Sequence, residues 1–306
     1  MQIVLVTGGN GFIGTNLLNE LRVRGYDTWP SDINYSRDPQ FIRCDVCSYR
    51  QVEHVIKKIK PDIVYHAAAE YGRWNGEAHY ENLWNTNVIG TKNILRAQKE
   101  FGFKMIYFGS AEVYGNYDDV MNEEVMNQFP IRQMNDYALT KWVNELQILN
   151  SADMDGTESV RVRLFNVYGP HEYYHPHRGV VPVFIYRALH GLPYTVNRGH
   201  KRTFEYVDDI VRSFANIIGS FNPGEVYNLG NDSQHDIEEL SDIVQKYTGD
   251  SVSEVTFADA EPYTTRNKFA PSEKAKKAIN HEITVKLDEG INKTVEWFRQ
   301  AYCIGK

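Results

Sequence analysis

The stretch IVLVTGGNGFIG, residues 3–14, decides the fold class of this chain. Its first five residues form a continuous, largely apolar run that is typical of a strand buried on both faces of a parallel sheet. After the glycines, apolar side chains recur at helical spacing from Phe12 to Leu21, and Gly25 ends that pattern. The chain therefore begins with a predicted strand, a glycine-rich turn and a helix.

The glycines of this turn are suited to holding a phosphate. Gly8 permits the tight turn, Gly11 lets the backbone approach a pyrophosphate, and Gly14 allows the helix to pack closely on the strand. The helix N-terminus adds free N–H groups and a positive dipole end. Asp32 follows Gly14 by 18 positions, where a carboxylate binds a ribose 2′-hydroxyl and repels a 2′-phosphate. The pattern predicts a dinucleotide site that prefers NAD, although the nearby Arg37 leaves NADP open.

Downstream of this unit, β-branched runs alternate with helical patterns, which predicts βαβ units and a parallel sheet. Further strands are predicted at residues 27–32, 41–44, 62–66, 104–108 and 159–165, and a long helix at 83–101. After Asn166 the rhythm changes. We therefore expect an α/β fold, a Rossmann-like doubly wound parallel sheet with a smaller mixed α/β C-terminal substrate domain. The expected domains are residues 1–166 plus about 201–230, and residues 167–200 plus 231–306.

Composition excludes several classes of protein. The 33 Lys and Arg against 40 Asp and Glu give a net charge of −7, which argues against nucleic-acid binding. No run approaches the ~20 apolar residues of a membrane span, and the first residues lack the pattern of a signal peptide. Three cysteines are too few for a disulfide scaffold and fit a reducing cytosol. We expect a cytoplasmic protein without a membrane or nucleic-acid partner.

The segment YALTK, residues 137–141, places a phenol and an ammonium one turn apart on the same helix face. A free tyrosine has a pKa of ~10 and is a poor base near neutral pH. Both an adjacent ammonium and a positive nicotinamide ring favour the phenolate and lower that pKa. Tyr137 could then take a hydroxyl proton while hydride leaves the same carbon, with Lys141 beside it.

With these motifs, the chain resembles the extended short-chain dehydrogenase/reductase superfamily, specifically the NAD-dependent sugar-nucleotide epimerases and dehydratases, over essentially its whole length. The matching segments, besides residues 7–14 and Asp32, are 45–46 (DV), 66–69 (HAAA), 87–91 (NVIGT), 109–115 (GSAEVYG), 137–141, 163–170 (RLFNVYGP) and 202–209 (RTFEYVDD).

The resemblance implies roles for individual residues. Ser110 orients the sugar 4-hydroxyl, Tyr137 is the base, and Lys141 holds the phenolate and the nicotinamide ribose. Further cofactor-binding residues are expected at Phe12, Ile13, Asp45 and Val46 (both against adenine), Ala67, Ala68, Ala69 and Asn87. Substrate-binding residues are expected at Glu70, Ser110, Ala111, Glu112, Asn166, Arg178, Arg202 and Arg266, with Asn166 and Arg202 on the diphosphate. A homodimer formed through two helices per subunit is also implied.

The tripeptide Ser110-Ala111-Glu112 bears on the type of reaction. Dehydratases of this family carry an acid where this chain has Ala111, and a methyl group donates no proton. Glu112 could remove a proton at C5 of a 4-keto sugar, or only bind hydroxyl groups. Decarboxylases add an arginine near the position of Lys268, with Arg266 two residues earlier. We therefore predict 4-epimerisation of a nucleotide-diphosphate sugar through a 4-keto intermediate.

Several alternatives stay open. They are 4,6-dehydration, decarboxylation or C5 epimerisation through Glu112, net oxidation or reduction at C4, and an NAD-responsive binding protein without catalysis. His171, Glu172, His175 and His177 could supply metal ligands, but their loop position suggests a substrate-facing segment, and we expect no metal. The spacing of Cys44 and Cys47 lacks the second pair of a zinc site.

Overall fold

The computed structural model describes residues 1–249 and 253–304. The strands are β1 (Ile3–Thr7), β2 (Asp27–Asp32), β3 (Ile42–Arg43), β4 (Ile63–His66), β5 (Lys104–Ser110), β6 (Ser159–Leu164), β7 (Asn166–Tyr168), β8 (Tyr194–Asn197), β9 (Lys201–Arg202), β10 (Phe204–Tyr206), β11 (Val226–Leu229), β12 (His235–Asp236), β13 (Val255–Ala258) and β14 (Asn267–Lys268).

The helices are α1 (Phe12–Val23), α2 (Tyr49–Ile59), α3 (Arg73–Ala78), α4 (Tyr80–Trp84), α5 (Gly90–Phe101), α6 (Val125–Gln128), α7 (Asp136–Asp155), α8 (Val180–Leu189), α9 (Val207–Gly219), α10 (Ile237–Thr248), α11 (Glu273–Ile279) and α12 (Leu287–Ala301). A π-helical turn (Asn85–Ile89) joins α4 to α5, and a 3₁₀ turn (Ala111–Tyr114) follows β5.

Seven parallel strands form the main sheet in the order β11-β6-β5-β4-β1-β2-β3. The order reverses at β1, so the two halves of the sheet diverge between β1 and β4. In such sheets ligands bind at this switch point, beyond the carboxyl ends of the strands. The prediction of a Rossmann-like doubly wound α/β fold is confirmed.

Both faces of the sheet are covered, which explains the continuous apolar run of β1. Val4 and Val6 belong to a core on one face that includes side chains of α1, α9 and α11, while Leu5 belongs to a core on the other face with side chains of α2 and α5. A strand buried on both sides needs apolar residues at every position.

A second core lies outside this sheet. Side chains from α8, α10 and α12 pack together with Tyr168, Phe204 and Tyr206 from β7 and β10. The small sheets β12-β9-β14 and β13-β8 belong to the same C-terminal part of the chain. The expected domain limits stay a prediction. Helix α9 and β11, from residues assigned to the first domain, contribute to the core of the main sheet. Helix α11, from residues assigned to the second domain, contributes to the same core.

The helix predicted over residues 83–101 is observed as α4, the π-helical turn and α5 in succession. The extra residue of a π turn alters the direction of side chains and often marks a functional site. Here the turn carries Asn87, whose amide is buried under the loop that follows β4. Among the described residues, no helix is both long enough and apolar enough to cross a membrane.

Candidate active site

The glycine turn after β1 leaves no space for added atoms. Gly8 has φ +70°, and a Cβ there would lie 2.7 Å from the Ala68 nitrogen. A Cβ on Gly14 would lie 2.2 Å from the Gly8 carbonyl oxygen, which is far inside van der Waals contact. The turn is therefore pressed between α1 and the loop after β4. It presents backbone N–H groups at the N-terminus of α1, as a pyrophosphate requires.

His66, the last residue of β4, holds the loop that follows this strand through buried hydrogen bonds. Its Nδ1 lies 2.9 Å from the Thr7 hydroxyl, and its Nε2 lies 3.1 Å from the Thr91 hydroxyl. The Ala68 N–H donates to the Thr7 hydroxyl at 3.3 Å. Burial, together with the positive charge of Lys141, lowers the pKa of His66 to about 3. The ring is therefore neutral and serves as a structural link between β1, β4 and α5.

Other residues expected to bind the cofactor hold nearby loops in place. Asp32 accepts hydrogen bonds from the Asn10 and Asn34 N–H groups at 3.1 and 2.9 Å. Asn87 receives the Glu70 N–H at 2.8 Å and donates to the Glu70 carbonyl. Asp45 caps the Cys47 N–H, and Val46 is buried against Gly90.

A cleft of about 240 Å³ opens at the switch point. It is lined by expected cofactor residues, namely Gly8, Gly11, Phe12, Ile13, Gly14, Ala67, Ala69, Tyr137 and Lys141, and by Glu70 and Ser110. The floor of the cleft is the glycine turn, and its wall carries the predicted base. The expected cofactor residues Asp32, Asp45, Val46, Ala68 and Asn87 are not part of its lining.

Tyr137 stands in the first turn of α7. The Asn135 side chain caps that helix by accepting a hydrogen bond from the Ala138 N–H at 2.8 Å. Ser110 ends β5 and lines the same cleft as Tyr137, close enough to its hydroxyl to lower the pKa of the phenol. Two residues 27 positions apart in the sequence are thus brought together at the carboxyl end of the sheet.

Burial has opposite effects on the acidities of Tyr137 and Lys141. It raises the pKa of Tyr137 to about 12, although Ser110 opposes that shift, so the phenol is protonated in this state. It lowers the pKa of Lys141 to about 8. The Lys141 ammonium donates to the Phe108 carbonyl at 2.8 Å and lies 5.7 Å from the centre of the Tyr137 ring. A positive charge placed there favours the phenolate.

A second cavity of about 490 Å³ adjoins the cleft and contains many charged groups. Arg202 is the most enclosed arginine of its wall. Its guanidinium donates to the carbonyls of Lys201, Thr265 and Arg266 at 2.8, 2.9 and 2.6 Å. Burial lowers its pKa to about 10, and nearby Glu112 opposes that effect.

Glu112 is paired with Lys268 in the same cavity. Its Oε1 accepts a hydrogen bond from the Lys268 ammonium, and the lysine side chain is only 8% exposed. Burial alone would raise the pKa of Glu112, but Lys268, Arg73 and Arg202 together bring it below its usual value. Glu112 is therefore held as an anion. Arg73 is paired in turn with Glu261.

The expected substrate residues are distributed unevenly around this cavity. Ser110, Glu112, Asn166, Arg178 and Arg202 line it, whereas Glu70 lines the cleft. Ala111 is buried in a separate apolar cluster. Arg266 is exposed, and its carbonyl, not its side chain, contacts Arg202. The role of each residue stays a prediction.

The ion pair between Arg73 and Glu261, which are 188 positions apart, was not predicted from the sequence, although residues 70–74 were considered as a possible wall of the sugar pocket. Sequence reasoning noted Lys268 but not its pairing with Glu112. No local motif encodes either pair, and the only sequence signal was a basic residue near the place where decarboxylases carry arginine. Within residues 1–249 and 253–304, no three His, Cys, Asp or Glu side chains are grouped to hold a metal ion.

Comparisons with known proteins identify the family of this chain. The sequence model of the NAD dependent epimerase/dehydratase family matches residues 4–230, which span the main sheet and the whole cleft. The chain belongs to this family. It is therefore an NAD-dependent enzyme of the sugar-nucleotide epimerase, dehydratase and decarboxylase group, as the resemblance implied.

Relatives in the family catalyse different reactions. UDP-N-acetyl-alpha-D-glucosaminuronate decarboxylase of Bacillus cytotoxicus is 29% identical over 97% of this chain and 97% of its own. The dTDP-D-glucose 4,6-dehydratase of Mus musculus is 28% identical over 98% of this chain and 89% of its own. UDP-glucose 4-epimerase of Thermus thermophilus, solved with NAD, is 28% identical with a TM-score of 0.88, covering 98% of this chain and all of that chain. Membership of the family fixes the cofactor and leaves the reaction open.

Proposed function

We propose that this enzyme interconverts the C4 epimers of a nucleotide-diphosphate sugar. The observation that carries the proposal is the composition of the site. Ser110, Tyr137 and Lys141 line the same cleft as the glycine turn, while Ala111 supplies no acid and Glu112 is neutralised by Lys268. Oxidation at C4 is therefore equipped with a complete set of residues, and elimination is not.

Bound NAD supplies the hydride acceptor and donor for C4. Tyr137 takes the proton of the 4-hydroxyl, and Ser110 holds that oxygen beside it. Burial raises the pKa of Tyr137, and Ser110 and Arg178 oppose that shift. The Lys141 ammonium, 5.7 Å from the centre of the Tyr137 ring, adds a positive charge that favours the phenolate. After the 4-keto sugar turns over in the cavity, Tyr137 returns the proton to the oxygen of the new epimer.

The state of Glu112 supports epimerisation over chemistry at C5. A base removes a carbon-bound proton best when its pKa lies near the working pH. The pKa of Glu112 is instead lowered by three cations, and its Oε1 is engaged by the Lys268 ammonium. Glu112 is therefore a weak base in this arrangement.

A second candidate reaction is decarboxylation of a nucleotide uronic acid. It is favoured by the four cationic side chains that line the substrate cavity, namely Arg73, Arg178, Arg202 and Lys268. A cationic cavity suits a sugar that carries a carboxylate as well as its diphosphate. The relative from Bacillus cytotoxicus is named for such a reaction.

The deciding experiment incubates the NAD-loaded enzyme with UDP-, GDP-, dTDP- and CDP-sugars, including UDP-glucuronic acid, in D₂O and follows them by NMR. Epimerisation gives a 4-epimer without solvent deuterium. Deuterium at C5, loss of water or release of carbon dioxide would replace the proposal with Glu112 chemistry. Accumulating NADH would indicate net oxidation, and NAD binding without turnover would indicate a binding protein.

We also propose a homodimer and a cytoplasmic location. Ile89, Leu139 and Leu146, close to or on α5 and α7, are 48%, 37% and 42% exposed, as two helices of a dimer interface would require. Cys44, Cys47 and Cys303 are free, which fits a reducing compartment. Sedimentation measurements on the variant L146E, which adds a charge to that face, test the dimer.

A further inference from the structure

The loop between β7 and α8, residues 169–179, has an unusual backbone. His171 has φ +72°, in the left-handed region that residues other than glycine rarely adopt. The Glu172 N–H donates to the Gly169 carbonyl at 3.3 Å and closes a tight turn. Such conformations persist only where the surrounding structure enforces them, and they concentrate at functional sites.

Aromatic side chains fix this loop to the C-terminal helices. The Tyr173 ring lies 5.1 Å from the ring of Trp297 on α12, and Tyr174 stacks at 4.0 Å on Tyr186 of α8. Tyr173 is largely exposed, whereas Glu172 is turned inward and is only 6% exposed. The loop is thus held from outside in a way that directs one carboxyl group into the molecule.

Glu172 reaches the junction of the cofactor cleft and the substrate cavity, and it lines both, as Ser110 and Tyr137 do. Within residues 1–249 and 253–304, no hydrogen bond joins its carboxyl oxygens to another group. Burial raises its pKa to about 7, although Arg178 opposes that shift. The titratable groups that line the same two spaces around it include Glu70, Tyr71, Tyr137, Lys141, His177 and Arg178.

We propose that Glu172 binds the sugar of the substrate, donating a hydrogen bond from its protonated carboxyl group to a sugar hydroxyl beside Ser110 and Tyr137. This inference rests on the proposed function. The Glu172 carboxyl group faces the space where the two cavities meet, with no hydrogen-bond partner among the described residues, and a sugar hydroxyl there supplies an acceptor.

Ionisation of Glu172 should lower the affinity for the sugar. The ionised carboxyl group no longer donates, so a sugar hydroxyl held as the acceptor then faces the lone pairs of an anion. The affinity for the sugar nucleotide then falls by at most about tenfold for each pH unit above the ionisation of Glu172. The affinity for the nucleoside diphosphate, which lacks the sugar, should not change with the ionisation of Glu172.

The experiment compares wild type, E172Q, E172A and the distant surface variant E289Q, all loaded with NAD. Dissociation constants are measured from pH 6 to 9 for UDP-glucose and UDP, or for the sugar nucleotide that turns over and its nucleoside diphosphate. We expect the wild-type and E289Q constants for the sugar nucleotide to rise with pH. The constant for E172Q, whose amide donates without ionising, stays flat, and E172A binds about tenfold more weakly at pH 6.

Two results would overturn the role of Glu172. One is a pH dependence in E172Q equal to that of wild type, and the other is an equal loss of affinity for UDP and for the sugar nucleotide. The proposed reaction fails separately, if wild type binds a sugar nucleotide more tightly than its nucleoside diphosphate yet forms no 4-epimer. Absence of any contribution of the sugar to binding would overturn both.

Discussion

The cofactor cleft and the substrate cavity meet at Tyr137 but are built by different means. The cleft depends on close approach of backbone, as between Gly8 and Gly14, and on neutral links such as Thr7 to His66. The cavity depends on charges from distant segments, as in the pair of Glu112 and Lys268, which are 156 positions apart. The cleft should therefore be sensitive to added atoms, and the cavity to lost charges.

The largest effect is expected where the two regions meet. Tyr137→Phe removes the hydroxyl that takes the substrate proton and leaves the ring in place. Loss of a positioned base lowers kcat by about 10²–10⁴-fold. Turnover of the sugar nucleotide, measured alongside NAD affinity, checks this, and near-normal kcat would refute the assignment of the base.

In the cavity, Lys268→Met removes a charge and keeps much of the volume. It leaves Glu112, whose side chain is 25% exposed, beside fewer cations, so its pKa should rise, and the free energy of unfolding at pH 7 should fall by about 2 kcal/mol. The measurement is urea unfolding of the single variants and of the double variant with Glu112→Gln. The double variant should recover most of the loss, because both charges are gone. Strict additivity would mean that the pair is not coupled.

In the cleft, Gly14→Ala adds one methyl group at a position where it would lie 2.2 Å from the Gly8 carbonyl oxygen. The turn must shift, which should cost about 2 kcal/mol of unfolding free energy and weaken NAD binding. Gly219→Ala is the matched control, because a Cβ there meets nothing within 4 Å. Thermal unfolding and NAD titration compare the two, and equal behaviour would contradict steric control of the cleft.

The smallest effect concerns the neutral link beneath the cleft. The pKa of His66 is lowered to about 3 in the folded protein, so below its unfolded pKa of ~6.5 the unfolded chain binds the extra proton. Folding stability from this group is therefore lost as the pH falls, by about 1.4 kcal/mol at pH 5.5. His66→Gln should remove that part of the pH dependence between pH 7.5 and 5.5 in urea unfolding, whereas exposed His54→Gln should keep it. Parallel curves of unfolding free energy against pH for wild type, His66→Gln and His54→Gln would exclude this role of His66.

Prediction from sequence succeeded where a constraint is local. The run of residues 3–14 fixed a strand, a turn and a helix, because periodicity and glycine geometry act within a few residues. The helix predicted over 83–101 missed the π-helical turn at Asn87, since an inserted residue leaves no mark in apolar spacing. The segment of Glu172 was expected to face the substrate, but which of its side chains points inward depends on rings of α8 and α12 that anchor the loop.

The sequence by itself determined the doubly wound fold, the family, NAD and the approximate positions of the site segments. Each follows from short motifs whose backbone geometry is set by neighbouring residues. Only the tertiary structure decided which charges meet, namely that Lys268 neutralises Glu112 and that Glu172 enters the site without a partner among the described residues. The physical reason is that a pKa depends on burial and on charges within a few ångströms, and these are set by packing between segments far apart in the chain.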